Sequence, residues 1–567
     1  MSRKDLEKGS KWIVQETTCL NELIIAEGAS ITAPEGYSVT MTVDGVNKPI
    51  VSGKYQGEVI LNVTENLMID SNVFKTAVYV ENGKVVPEKS VLAFAIGGEV
   101  TDTYAKNITL TSEEEAVNGI YITGDCEYSI DNATITMTGN GGNDFVGCGA
   151  GILANGNAKV TVNKAKIKTH GAVRTAIFAG EHSMLTVNDS SIEVLDGKLP
   201  DDYTFTIEPG KMKEVPWMLG LSGNCRATNA VAYSTVRYNN THIKAQKWGC
   251  LSTDAVDCCR LYATNCLIET VESGYGAYTI SDCQGYFSGC TFNINDYALV
   301  IASESYGTFT DGCVVNSERF GVMIHGGTGG GALTINKGSV FNTKKAVVLV
   351  KERGGNIIVE DAELNSESGI VLLAMESDDP ILRAIARGEG LPPGFPLPPD
   401  KDGAEGEINE AWTTGKTEDA PKKEPPVFST NLEASFKNVN LKGDFINSMT
   451  KRGDVILSFE NAIITGAITT GISEPIDGEP TQETYYMIGE VENTYCSTDD
   501  EYGIKVSLDG KSTWRVDKTS YLNRISIAAD SSIIAADGKT LTVTVNGAPT
   551  SIQAGETYEG KIVLTVK

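Results

Sequence analysis

The fold is decided by a five-residue pattern that recurs from residue 265 to residue 342: NCLIE from Asn265, GCTFN from Gly289, GCVVN from Gly312 and GSVFN from Gly338. A polar residue or glycine is followed by a small residue, any residue and then an apolar one. The small positions of the whole series are Ala133, Ala165, Ser190, Thr241, Cys266, Cys290, Cys313, Ser339, Ala362, Val439 and Ala462. They are 23–26 residues apart, except for gaps of 32, 51 and 77. Such a period predicts one short-stranded turn per repeat, with turns stacked about 4.8 Å apart and loops inserted at the gaps.

The apolar residue of each repeat is expected to form one internal ladder. Its members are Ile135, Ile167, Ile192, Ile243, Ile268, Phe292, Val315, Phe341, Leu364, Leu441 and Ile464. One asparagine per turn follows this ladder, at Asn293, Asn316, Asn342 and Asn365. Because buried turn amides need partners, these side chains are expected to hydrogen-bond along the axis. They resemble the asparagine ladder of pectate-lyase-like β-helices, and this resemblance to the pectin-lyase-like superfamily implies a structural role for them.

A second strand, usually led by glycine, follows in most turns. Examples are GIYIT from Gly119, GILAN from Gly151, GAYTI from Gly276, GVMIH from Gly321 and GIVLL from Gly369. The sequence therefore predicts an all-β chain, a right-handed parallel β-helix solenoid. Cys266, Cys290 and Cys313 are expected to pack in its core rather than to bind metal, since the motif holds no histidine.

The two ends of the chain carry the same sequence at an offset of 502 positions. WIVQETTCLN from Trp12 corresponds to WRVDKTSYLN from Trp514, and residues 12–45 give 15 identities in 34 positions. Both copies then reach a hairpin signal, Asp44-Gly45 and Asn546-Gly547. We interpret them as duplicated β-rich modules that cap the ends of the solenoid.

These features divide the chain into five segments. They are an N-terminal β cap module at 1–65, the parallel β-helix at 66–375, a proline-rich inserted loop or lid at 376–430, the last β-helix turns at 431–510 and a C-terminal cap module at 511–567. The tryptophan motif of the ends, with LEASFKNVNLKGDFINS and DVILSFENAIITGAITT, resembles the passenger β-helix of autotransporters and related bacterial adhesins. That resemblance supports the fold more than a role.

Composition limits the partners of the chain. The formal net charge of −27 argues against nucleic acid and anionic membranes. The N-terminal MSRKDLEKGSKWIVQETT has no apolar run after its charges, so a cytoplasmic protein is expected. Most of the 12 cysteines fall at core positions, which favours reduced thiols, as in an anaerobic bacterium.

Most candidate functional residues follow the second strand of a turn, while Arg319 belongs to a basic stretch and Trp412 to the insertion. The candidate catalytic residues are His325, Lys351, Asp282 and Glu304, and the candidate substrate-binding residues are Arg353, Arg319, Asp254 and Trp412. His325 stands among glycines and suits proton transfer. Lys351 or Arg353 as a base would suit β-elimination, whereas the pair Asp282 and Glu304 would suit glycoside hydrolysis or transfer.

A basic island supports an anion-receiving groove. Residues 317–355 carry six positive and two negative side chains, a net charge of +4 on an acidic protein. A solvated face that balances nearby acids is the simpler alternative.

The functional hypothesis is an intracellular β-helix enzyme, a lyase, hydrolase or isomerase that acts on a sugar-like or polyhydroxylated small molecule or an oligosaccharide. The alternative is a non-catalytic, adhesin-like structural or binding β-helix. No motif requires an organic cofactor, a carboxylate-bound metal stays open, and homo-oligomers could form through the end modules or the insertion.

Overall fold

The computed structural model describes residues 2–69, 71–254, 258–325, 330–352, 354–380, 383 and 431–567. The described chain is all-β, and its strands stack in parallel sheets as a β-helix solenoid with a β-rich module at each end. The predicted fold class is therefore confirmed. Its residues form two compact units: Met1–Asp201 with Ala227–Asn229 and Ser234–Val236, and Asp202–Arg226 with Ala230–Tyr233 and Arg237–Lys567.

Each turn of the solenoid contains three strands. In one turn they are Arg260–Thr264, Leu267–Thr270 and Tyr275–Thr279. We name the sheets to which they belong sheet 1, sheet 2 and sheet 3. The repeat pattern found in the sequence covers the strands of sheets 2 and 3. The strand of sheet 1 lies before this pattern and was not recognised in the sequence, because its alternating buried and exposed residues are of no fixed type.

The strands of the first unit occupy the same three positions of each turn. Sheet 1 contains Glu99–Val100, Tyr104–Lys106, Glu127–Asp131, Lys159–Asn163 and Met184–Asn188. Sheet 2 contains Ala95–Ile96, Thr109–Ser112, Thr134–Thr138, Lys166–His170 and Ser191–Leu195. Sheet 3 contains Leu67–Ile69, Asn72–Glu81, Lys84–Val85, Val117–Thr123, Ile152–Ala154 and Ile177–Ala179. Two further strands are Thr228–Ala230 and Thr235–Asn239.

The second unit continues with the same three strands per turn. Sheet 1 contains Arg260–Thr264, Gln284–Ser288, Tyr306–Thr310, Gly331–Asn336, Gly355–Glu360, Leu432–Lys437, Val455–Glu460 and Ile504–Asp509. Sheet 2 contains His242–Ala245, Leu267–Thr270, Thr291–Ile294, Val314–Ser317, Val340–Thr343 and Glu363–Ser366, and a separate four-stranded stack contains Asn440–Lys442, Ile463–Thr465, Thr513–Val516 and Ser532–Ala535. Sheet 3 contains Gly249–Ser252, Tyr275–Thr279, Tyr297–Ala302, Phe320–His325, Val348–Lys351, Ile370–Met375, Asp444–Ser448, Ile468–Pro475 and Val491–Tyr495.

The polar or glycine residue of the repeat makes the turn between sheets 1 and 2. It adopts left-handed backbone conformation, with φ between 48° and 77°, at Asn132, Lys164, Asp189, Asn240, Asn265, Gly289, Gly312, Gly338, Asp361, Asn438 and Asn461. Glycine, asparagine and aspartate are the residues that tolerate this conformation best. The small residue that follows is buried in every repeat. The pattern in the sequence is thus a sharp corner followed by a crowded core position.

The internal ladder is confirmed with its predicted register. Ile268 pairs with Phe292, which pairs with Val315, and this pairing continues to Phe341 and Leu364. All eleven predicted members are buried.

The asparagine ladder is also confirmed, but it lies on the surface. The amide groups of Asn316, Asn342 and Asn365 each donate to the asparagine of the preceding turn at 3.0 Å. These three side chains are exposed rather than buried as expected. Cys266, Cys290 and Cys313 are buried free thiols in the core.

Two insertions of the second unit cover the outer face of sheet 3. They are residues 202–226 and 476–490, which we call the covering loops. Each contains a short 3-10 helix, Trp217–Leu219 and Tyr485–Met487. Two other 3-10 helices, Pro87–Lys89 and Leu92–Phe94, lie in the first unit. The second covering loop interrupts residues 431–510, where the sequence predicted only further solenoid turns.

The end modules have the same topology. The N-terminal module comprises Ser2–Leu6, Lys11–Ile13, Thr18–Ile25, Ser30–Thr32, Tyr37–Val43, Val46–Lys48 and Gly53–Glu65. The C-terminal module comprises Ile504–Asp509, Thr513–Val516, Ser520–Ile527, Ser532–Ala535, Leu541–Val545, Ala548–Pro549 and Thr557–Val566.

Strand pairing supports the duplication. In each module the first strand pairs in parallel with the third, which pairs antiparallel with the last. Both third strands shift register at the same place, between Leu20 and Glu22 and between Leu522 and Arg524.

Trp514 joins the C-terminal module to the solenoid. It pairs with Ile464 at the end of the internal ladder, is fully buried, and donates from Nε1 to the Gly466 carbonyl at 2.9 Å. Its counterpart Trp12 is partly exposed.

We therefore expect Trp514→Ala to lower the free energy of unfolding by about 3–5 kcal/mol, because it leaves a large cavity in a closed core. Trp12→Ala is the matched control and should cost clearly less. Chemical denaturation of the two variants checks this. Equal losses would contradict the different packing of the two tryptophans.

Candidate functional site

The predicted catalytic residues of the second unit follow strands of sheet 3. His325 and Lys351 end two neighbouring strands and pair in register. Asp254, Asp282 and Glu304 lie in turns that follow earlier strands of the sheet. Stacking therefore places His325 beside Lys351, while the carboxylates lie on other turns.

Lys351 forms an ion pair with Asp378, and both side chains are completely buried. The Oδ2 atom of Asp378 also accepts a hydrogen bond from the Gly489 N–H at 2.6 Å. Burial raises the pKa of Asp378, but the Lys351 ammonium and the Gly489 N–H outweigh it, so that the pKa lies below its usual value. Lys351 thus neutralises an internal carboxylate.

His325 is partly exposed, but its Nδ1 atom is buried and has no hydrogen-bond partner in the described part of the chain. Burial and the neighbouring Lys351 charge lower the pKa of His325 to about 4, against the opposing effect of Asp378. The imidazole is therefore neutral at pH 7, with one nitrogen facing a dry environment.

Arg319 fastens both covering loops to sheet 3. Its guanidinium donates to the carbonyl of Gly220 at 3.0 Å and to that of Ile488 at 2.5 Å. It also lies 3.1 Å from the carboxylate of Asp296 and 3.5 Å from that of Glu490. Only 12% of the side chain is exposed. The predicted substrate-binding residue is therefore occupied by internal contacts.

Asp254 forms an ion pair with Arg226, whose side chain is buried. The guanidinium lies 4.9 Å from the ring centre of Trp248. Nearby, the hydroxyls of Tyr275 and Ser252 are hydrogen-bonded at 2.7 Å. Burial raises the pKa of Tyr275, although the Arg226 charge opposes it. Asp254 thus compensates a buried cation.

Asp282 and Glu304 lie on adjacent turns, since the Asp282 N–H donates to the Glu304 carbonyl at 2.8 Å. The Asp282 carboxylate accepts a weak hydrogen bond from Cys258 Sγ at 3.1 Å, and its carbonyl accepts one from Arg260 at 3.0 Å. Burial raises the pKa of Tyr306, and the two carboxylates raise it further. Both carboxylates therefore influence the same neighbouring tyrosine.

Five cations of the basic island form ion pairs, four of them with acids from outside residues 317–355 and Lys344 with Glu318 inside that stretch. The ion pairs are Arg319 with Asp296 and Glu490, Lys337 with Asp311, Lys344 with Glu318, Lys345 with Glu490, and Lys351 with Asp378. The simpler alternative, a solvated face that balances nearby acids, fits Lys337, Lys344 and Lys345, whose side chains are at least 42% exposed, whereas Arg319 and Lys351 are buried. Arg353 and Trp412 lie outside the described residues, as does most of the 376–430 insertion.

Sequence reasoning missed four residues of this region. They are Arg226, Asp296, Asp378 and Glu490. Arg226 is the only one with a local signal, because it is the one charged residue between Glu214 and Arg237. The others became visible only as partners, because a residue as distant as Glu490 meets Arg319 through folding alone.

A second polar surface lies on sheet 2, outside the predicted site. It is an open groove of about 380 Å³. Three consecutive turns line it with the stacked amides of Asn316, Asn342 and Asn365 and with the charges of Glu318, Lys344 and Glu367.

Within the described residues there is no group of three or more histidine, cysteine, aspartate or glutamate side chains placed to hold a metal ion. No helix in this part of the chain is long and apolar enough to cross a membrane. Comparisons with protein-family models, with curated proteins and with solved structures gave no significant match to the chain.

His325 should make stability depend on pH. Its folded pKa of about 4 lies below the ordinary 6.5, so between these values the unfolded chain binds a proton that the folded chain does not. Burial of the imidazole is the largest cause of the lowered pKa and opposes its protonation in the folded chain. The free energy of unfolding should therefore fall as pH falls from 6.5 to 4.

Denaturant unfolding of His325→Gln and of the wild type across this window checks the effect. The variant should lose part of the slope, whereas His170→Gln, at an exposed histidine, should keep it. An unchanged slope in His325→Gln would contradict the buried state of Nδ1.

Proposed function

We propose that this chain is a non-catalytic, adhesin-like β-helix, a structural and binding protein rather than an enzyme. The observation that carries this proposal is that the buried cations at sheet 3 are paired with carboxylates of the same chain. Arg226, Arg319 and Lys351 are buried and engaged with internal carboxylates. A substrate would have to break these pairs, and a buried charge without its partner is costly.

The outer face of sheet 3 supports the same proposal. Along this face Val300, Met323, Leu349 and Ile446 are buried. Gly489 of the second covering loop packs so closely on Leu349 that an added Cβ atom would lie 3.0 Å from it. The covering loops therefore pack against the outer face of the sheet as part of the core.

The binding surface that we propose is the asparagine groove of sheet 2. Its amides are exposed, regularly spaced and already oriented by the ladder, which limits the entropy lost when they bind. Amide and carboxylate groups suit the hydroxyls of an extended glycan. The resemblance of the repeats to pectin-lyase-like and adhesin β-helices is consistent with this ligand class.

An enzyme remains the second candidate, and one observation favours it. Asp282 and Glu304 lie on adjacent turns, and both carboxylates raise the pKa of Tyr306 in addition to its burial. Two carboxylates on one surface are the groups that glycoside hydrolysis requires. In this second candidate, catalysis requires Asp282 and Glu304, and the buried cations Arg226, Arg319 and Lys351 take no part in it.

A thermal-shift screen with oligosaccharides, uronates and polyols separates the two proposals. A binding protein should be stabilised by a glycan, and Asn342→Leu should weaken the shift while Asp282→Asn leaves it unchanged, with no product released on long incubation. Turnover that Asp282→Asn or Glu304→Gln abolishes would overturn the non-catalytic proposal.

Arg319→Met tests the fastening role directly. The substitution leaves Asp296 and Glu490 without their buried cation, and we expect the free energy of unfolding to fall by about 3–5 kcal/mol. Trypsin should also cut faster after Lys211 and Lys213, because the first covering loop loses its anchor at Gly220.

Lys337→Met is the matched control. It removes an ion pair with Asp311 in which both side chains are exposed, and such pairs contribute about 0–1 kcal/mol. Equal stability of the Arg319 variant and the wild type would show that Arg319 is free for a ligand.

A further inference from the structure

An ion pair between Lys351 and Asp378 is energetically costly, because it buries two charges. Both side chains have no accessible surface, so neither charge is solvated. The Nζ atom has no hydrogen bond beyond this pair in the described structure. Removing a charged pair from water costs several kcal/mol per ion, which only excellent surrounding hydrogen bonds repay. Here the carboxylate accepts backbone hydrogen bonds, among them one from the Gly489 N–H.

We propose that Lys351 and Asp378 are joined by an intramolecular isopeptide bond, formed between Nζ and Cγ by the folded chain itself. The reaction eliminates both buried charges. It turns a costly ion pair into a neutral amide that ties the end of the strand Val348–Lys351 to the residue three positions beyond the strand Ile370–Met375.

The step balances without any other reactant. Within the pair, one proton passes from the ammonium to the carboxylate and gives an amine and a carboxylic acid. The Nζ lone pair attacks Cγ, the Cγ–Oδ1 bond breaks, and Oδ1 leaves with two protons as water. No oxidation or reduction takes place, and the product is one amide and one water molecule.

The surroundings supply what this condensation needs. Pairing in a closed core gives the amine and the carboxyl group a very high effective concentration. The Gly489 N–H, 2.6 Å from Oδ2, is placed to stabilise the negative charge that develops there when Cγ becomes tetrahedral. The dry site also removes the competing water.

His325 is the group that can move the proton. It pairs in register with Lys351 on the neighbouring turn, and the charges of both Lys351 and Asp378 act on it. Its buried Nδ1 has no hydrogen-bond partner in the described residues. A neutral imidazole can take the proton from Nζ as the new bond forms and pass it to Oδ1 as water leaves.

Mass spectrometry of the full-length protein tests the proposal. The denatured wild type should be 18 Da lighter than its sequence, since one water molecule is lost. Trypsin cannot cut at an acylated lysine, so the digest should contain a branched peptide in which residues 346–353 are joined to residues 354–383. An unchanged intact mass, or release of free 346–351, would overturn the bond.

Three variants separate the linkage from other losses of water. Lys351→Met and Asp378→Ala should both have their full sequence masses. Lys345→Met should keep the 18 Da deficit, because Lys345 is partly exposed in its 2.6 Å pair with Glu490 and is not expected to react. A deficit that persists in Lys351→Met would place the loss elsewhere and overturn the proposal.

His325→Phe tests the proton path. The variant keeps both reacting groups, and we expect a mixture in which the full-mass species increases at least tenfold shortly after synthesis and decays slowly into the linked form. Complete linkage at the earliest time point would overturn the role of His325.

Discussion

Every turn of this solenoid depends on one corner, the left-handed residue between sheets 1 and 2. Parallel strands can stack only if each turn bends at the same place, and this bend requires positive φ. Asparagine, aspartate and glycine supply it, and the small buried residue that follows lets the next strand start inside the core. The constant corner keeps the turns in register, so that Ile268, Phe292 and Val315 fall into one column. The surface asparagine ladder is a consequence of the same register.

The covering loops depend on that register in a different way. A β-helix strand is buried on its inner face only, but sheet 3 of the second unit is closed on its outer face as well. The loops that close it carry backbone carbonyls, such as those of Gly220 and Ile488, into a buried region. Arg319 satisfies both, and Asp296 and Glu490 compensate its charge. Buried charge is therefore the means by which irregular chain is held against a regular apolar surface.

The fold could be predicted from the sequence because its determinants are local. A corner residue, a small residue and an apolar residue recur within five positions, so the ladder at Phe292, Val315 and Phe341 was correct to the residue. The candidate site could not be predicted to the same depth. The charge count over 317–355 treated Arg319 and Lys345 as free, although Glu490 meets both from far along the chain. Ion pairs between distant segments have no local signature, whereas stacked turns do.

The duplicated modules show how one sequence can end a solenoid in two ways. In the C-terminal copy, Ile504 and Val506 are buried and Trp514 lies under Ile464, so the module continues the apolar core. At the same offset the N-terminal copy has Ser2 and Lys4, both exposed, and the Lys4 ammonium lies 5.1 Å from the ring centre of Trp12. A lysine where the C-terminal copy has the buried Val506 discourages further strand pairing. The first strands of the two modules thus differ at two positions. Where the C-terminal module has Ile504 and Val506 and packs on a solenoid turn, the N-terminal module has Ser2 and Lys4 and a charged edge.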